Sequence, residues 1–179
     1  MSSVSITYEL AVHQIQQLYS TEKQCLMYLK VLAYKLTNLY WKDVLWELLP
    51  LTHQKIKQLH RLQTIVQGAS ETVNTAGING IVSEGFEQMK SVENSELKDA
   101  LIVHTLILLN HYKLGSYRIL LTYFQFLRRE NEANIVQTIL AQEEGTLSKL
   151  MRILSSSIPT SSPISEAFVT EIHDATPFS

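Results

Sequence analysis

Apolar residues recur at three- and four-residue intervals along four long stretches of this chain, and that periodicity restricts it to an α-helical architecture. The first stretch spans residues 6–36, where Ala11, Ile15, Leu18, Leu26, Leu29 and Ala33 share one face. The second spans residues 42–69 and contains Pro50, which must kink the helix or mark its true start. Gly68 and the Ser-containing turn after it end that helix. The third opens at Ser95 as N-cap, with Glu96 and Asp99 in the first turn where they suit the helix dipole. It closes near Arg128 and Arg129, and the fourth covers residues 132–154. Helices of about 30 residues are about 45 Å long. Between the second and third, residues 73–80 read as a loop and residues 81–92 as a short helix crossing between the two halves. Its Phe86 and Met89 would lie against the bundle end. The expected fold is all-α, an antiparallel four-helix bundle whose helix pairs are joined by a short crossing helix.

The bundle is assigned to residues 1–154. From Ser155 the chain becomes rich in Ser, Pro and Thr, which build no core, so residues 155–179 read as a tail. Phe168, Val169 and Ile172 are the residues that would anchor it on a neighbour. Charged residues make up only 18% of the chain, below the usual share of about 25%, which leads us to expect that some helix surface is covered in a homodimer. A net charge of −2 gives no basic field for nucleic acid. The apolar run from Ala100 to Leu109 is broken by His104 and is too short to cross a bilayer. The opening residues lack the basic and apolar regions of a signal peptide, so a cytoplasmic protein is expected. Cys25 is the one cysteine; it excludes an intramolecular disulfide and reads as an inert small hydrophobe near the interior face.

The chemistry lies in polar residues that interrupt the apolar faces. Glu22 falls between Leu18 and Leu26, and His53 between Leu49 and Ile56. Asn110 and Lys113 lie on the face set by Val103, Leu106, Leu114, Tyr117 and Leu121. Glu143 lies between Leu140 and Leu147. One such residue is more often a satisfied core hydrogen bond than a site, and some could point between helices to water. One on each of four helices is different, because buried charges are costly unless paired or bound to metal. A di-metal bundle site asks for about six ligands, including Glu-x-x-His pairs. The chain has no Glu-x-x-His: Glu47 is followed three later by Pro50, Glu143 by Thr146 and Glu144 by Leu147. Glu84 and Glu87 share the crossing helix, where a solvated face is the simpler reading. His13, His60, His104, His111 and His173 show no ligand spacing.

At these residues the chain resembles the YciE/YciF family of ferritin-like proteins. Gln17-Leu18-Tyr19-Ser20-Thr21-Glu22-Lys23-Gln24 is similar to the family's first-helix motif, and Gly80-Ile81-Val82-Ser83-Glu84-Gly85 to its crossing segment. Asp99-Ala100-Leu101-Ile102, His111-Tyr112 and Tyr117 resemble its third helix, and Leu140-Ala141-Gln142-Glu143-Glu144 its fourth. The resemblance runs from about Tyr8 to Leu154. It implies a ferritin-like bundle, an association with bacterial stress responses and a di-metal centre, with Glu22 and Glu143 standing at interior glutamate positions. The chain then departs from the pattern. Pro50 and His53 stand where the second helix is expected to be acidic. Where the family reads Val-Glu-His-Tyr-Glu, this chain reads Leu109-Asn110-His111-Tyr112-Lys113.

Two metal ions bring about four positive charges, which several carboxylates normally balance. A protonated lysine has no lone pair to ligate with and repels a cation. The degenerate site is therefore expected to hold no cofactor: Lys113 replaces the metal's charge by pairing with Glu22 or Glu143, and Asn110 and His53 complete a hydrogen-bond network. The competing expectation is one retained metal, iron, manganese or zinc, on Glu22, His53 and Glu143. The corresponding functions are a non-catalytic scaffold or interaction protein, and a metal-binding redox or storage protein. Tyr34, Tyr40, Trp41, Trp46, Tyr123, Phe124 and Phe126 would give the first an apolar face, or simply pack the bundle ends. For a third reading, a small-ligand carrier, the sequence offers nothing beyond its aromatic content.

Overall fold

The computed structural model describes residues 3–66, 73 and 75–156. Among them the chain forms α1 (Ser3–Lys35), α2 (Leu39–Ile65), α3 (Ala76–Lys90), α4 (Ser95–Phe126) and α5 (Glu130–Ser155). Short turns make α1/α2 and α4/α5 hairpins. The hairpins close a bundle through α1 against α4 and α2 against α5, and α3 lies across α4 and α1. This is the expected ferritin-like all-α architecture with its crossing helix. The expected tail lies outside the described residues from residue 157 onward.

Local chemistry explains the helix ends. Asn38 and Asn94 cap α2 and α4, their side chains accepting from Trp41 N at 3.1 Å and Leu97 N at 2.8 Å. Ser95 is thus the first helical residue and not the cap expected from the sequence. Pro50 lies inside α2 on its exposed side, where the carbonyl it leaves unbonded can meet water. At the end of α4, Arg128 has φ 54°, and Arg129 N reaches back to Phe124 O at 2.9 Å, closing the helix through a left-handed residue.

Asp99 does more than face a helix dipole. It is buried, and its carboxylate accepts from Thr37 N (3.0 Å), Thr37 Oγ1 (2.8 Å) and Asn38 N (2.7 Å), tying the α1–α2 turn to α4. Bonds to a carboxylate are the strong ones, and the donors left behind are partly buried. Asp99→Ala is therefore expected to cost about 3 kcal/mol in urea unfolding. A cost below about 1 kcal/mol would show that the turn holds without it.

The apolar core falls into two clusters. One gathers Leu29, Leu32, Trp41, Leu45, Ile102 and Ile153 toward the α1–α2 turn. The other gathers Ile15, Leu18, Leu59, Leu62, Phe124 and Ile139 toward the opposite end. A layer of charged residues lies between them.

Candidate functional site: a charge quartet between two apolar clusters

Each long helix sends one charged side chain to this layer: Glu22 from α1, Lys55 from α2, Lys113 from α4 and Glu143 from α5. All four are at most 6% exposed. Lys113 Nζ lies 3.0 Å from both carboxylate oxygens of Glu143 and 3.4 Å from Glu22 Oε1. Lys55 donates to Glu143 Oε1 and lies 3.7 Å from Glu22 Oε1. Asn110 Nδ2 donates to Glu143 Oε2. Tyr117 donates its hydroxyl to Glu22 Oε1 at 2.9 Å. Two carboxylates and two ammonium groups balance each other away from water, which is the condition for burying such charges at all.

The titration behaviour follows from this packing. Burial alone would raise the Glu143 carboxyl, but Lys113 and Lys55 outweigh it and hold it below its ordinary value. Burial opposes the charge on Lys113, yet Glu143 and Glu22 outweigh it and raise its pKa. Burial raises Tyr117, with Glu22 and Glu143 adding to the effect. Cys25, packed beside the quartet, is pushed up to about 12 by burial, and Lys113 only partly offsets this. Its thiolate is thus disfavoured, and with it nucleophilic chemistry.

Four of the five residues expected at the site come together: Glu22, Asn110, Lys113 and Glu143. His53 does not, and that expectation is corrected. It is exposed, because the buried stripe of α2 runs through Leu48, Thr52, Lys55, Leu59 and Leu62. Two residues along a helix turn the side chain by about 200°. Lys55 is the residue that sequence reasoning missed, although its four-three spacing from Leu48 and Thr52 was the signal for it. A metal held by Glu22, His53 and Glu143 thus lacks its histidine, and among the described residues no group of three His, Cys, Asp or Glu is placed to hold a metal. The residues present do not fit a di-metal centre. The centre of the bundle offers two carboxylates, each already neutralised by ammonium groups within 3.7 Å. Glu87 pairs with exposed Lys90, as expected of a solvated face.

The model of a domain of unknown function, DUF892, matches residues 7–162. Protein YciF of Escherichia coli strain K12 is 26% identical over 146 residues, covering 79% of this chain and 86% of that protein. Among solved structures, the E. coli stress protein YciF aligns with a TM-score of 0.80 at 22% identity, over 89% of this chain and 99% of that one. YcfI from Rhodopseudomonas palustris aligns at 0.77 and 23% identity, over 80% and 92%. These structural likenesses are of the fold.

Proposed function

This chain belongs to the YciE/YciF family of ferritin-like proteins, and from that premise we propose that it is a stress-associated protein without a complete di-metal site, acting as a non-catalytic scaffold or interaction protein. The observation that carries this reading is the closed charge of the quartet. Lys55 and Lys113 stand where cations would have to sit, and a metal would have to displace both ammonium groups from their carboxylates. The stress association rests on the relative, which is described as a stress protein.

Action through surfaces, with a second copy as the first partner, is supported by an exposed apolar stripe. Met27, Val31 and Tyr34 follow one another at four- and three-residue spacing along α1, and Trp46 of α2 meets Tyr34 edge-on at 6.0 Å. Trp41 and Phe124 are core instead. No helix among the described residues is long and apolar enough to cross a membrane. A cytoplasmic location belongs to the same proposal.

The test is the metal content of the full chain after incubation with ferrous iron, manganese and zinc. Glu22→Ala serves as the negative control and Lys55→Glu/Lys113→Glu as a version with a carboxylate placed in the layer by each of the four long helices. Wild type is expected to match the control, and the double variant to retain metal. Near-stoichiometric metal in wild type that disappears with Glu22→Ala would overturn the scaffold reading and favour a redox or storage protein with a reduced ligand set.

A further inference from the structure

One helical turn along the axis from the quartet lies a second ring of polar side chains. Cys25 is three residues after Glu22, Thr52 three before Lys55, Asn110 three before Lys113 and Thr146 three after Glu143. All four are buried, and with Leu29, Leu48, Leu106 and Leu150 beyond them they line a cavity of about 40 Å³. Lys55 and Lys113 form its quartet-side wall.

The hydrogen-bond groups on the wall specify a guest. Asn110 is 2% exposed; its Nδ2 is committed to Glu143, and its Oδ1 has no partner. A buried amide oxygen without a donor is costly, so the guest must donate a proton to it. Thr52 and Thr146 give their hydroxyl protons to Leu48 O at 2.9 Å and Gln142 O at 3.0 Å, which leaves their oxygens able to accept. The two ammonium groups carry six N–H donors between them and need acceptors beyond the carboxylates. A cation is repelled by those ammonium groups. An anion brings no proton to Asn110 Oδ1 and meets Glu143. An apolar guest leaves Oδ1 unpaired. A small neutral molecule that both donates and accepts satisfies every group.

We infer that this cavity is a built water site, holding ordered waters that bridge Asn110 Oδ1, the ring hydroxyls and the lysine ammonium groups. The volume fits, since a water needs about 10–15 Å³ on this scale. The waters extend the polar layer between the two apolar clusters.

Crystals of the full chain test this in two arms, one untreated at high resolution and one pressurised with xenon, which enters dry apolar cavities. The expected result is water density within hydrogen-bond distance of Asn110 Oδ1 and of a lysine Nζ, with no xenon in the cavity. Xenon seated there, a featureless cavity, or a peak with the short contacts of a bound metal would each overturn the inference. In solution, magnetic relaxation dispersion of water deuterons counts long-lived internal waters. The signal is expected to fall in Cys25→Leu, which enlarges a residue lining the cavity, and an unchanged signal in a folded variant would place those waters elsewhere.

Discussion

Replacing Lys113 with methionine is expected to lower stability by about 3–5 kcal/mol, the cost of removing one partner from a buried ion pair. Methionine fills similar space, so the loss is mainly electrostatic. Glu22 and Glu143 would then share the single ammonium of Lys55, and one negative charge would be left buried between the two apolar clusters. A domain of this size has about 5–15 kcal/mol in all, so the variant should unfold at much lower urea. The decisive arm is Lys113→Met combined with Glu143→Gln. It removes one charge of each sign and leaves Glu22 with Lys55. The double variant is expected to recover more than half of the single variant's loss, because the neutral amide no longer needs a counter-ion. Urea unfolding at pH 7 of wild type, both single variants and the double variant gives the complete cycle. A cost below about 1 kcal/mol for Lys113→Met, or no recovery in the double, would mean that the four charges do not act as one balanced set.

Most of the bundle was legible because long amphipathic helices announce themselves by period, and interior polar residues show as interruptions of an apolar stripe. Glu22, Asn110, Lys113 and Glu143 were found in that way. Lys55 was not, because α2 carries two overlapping stripes. Leu49, His53 and Ile56 make one, but Leu49 and Ile56 are only partly buried. Leu48, Thr52, Lys55 and Leu59 make the other, and it is the one the fold buries. A lysine reads as solvent-facing unless its acidic partners are known, and here they come from other helices. The start of α3 was misread for a different reason. Gly77 and Gly80 look like loop residues, yet both are helical, and a Cβ on Gly77 would lie 2.9 Å from the Tyr112 ring. Gly85 meets Thr105 in the same manner. These two glycines let α3 pack closely on α4, a tertiary requirement that no local pattern reveals.

Above about pH 9 the chain is expected to lose stability steeply, and the quartet's neighbourhood explains why. Cys25 has its pKa pushed up to about 12, and Tyr117 and Lys113 are also raised. A group whose pKa is higher in the folded chain contributes stability in full below its unfolded value. The contribution is lost as pH rises through the folded value. The unfolded chain releases these protons near pH 8.5 for cysteine, about 10 for tyrosine and about 10.4 for lysine, while the folded chain keeps them. Each group then adds a slope of about −1.4 kcal/mol per pH unit. The Cys25 contribution alone is about 5 kcal/mol over the interval between its unfolded and folded values. On the acid side the sign reverses. Glu143 is lowered, so its contribution is present above about pH 4.3 and fades as pH falls through its folded value. Urea midpoints measured from pH 7 to 11 should be level to about pH 8.5 and then fall, with about one proton released on unfolding near pH 9.5. Cys25→Ala should remove that first proton and delay the fall until the tyrosine and lysine range. A midpoint that stays level through pH 11, or a Cys25→Ala profile that superposes on wild type, would show that the buried thiol and its charged neighbours are reached by water in the folded chain.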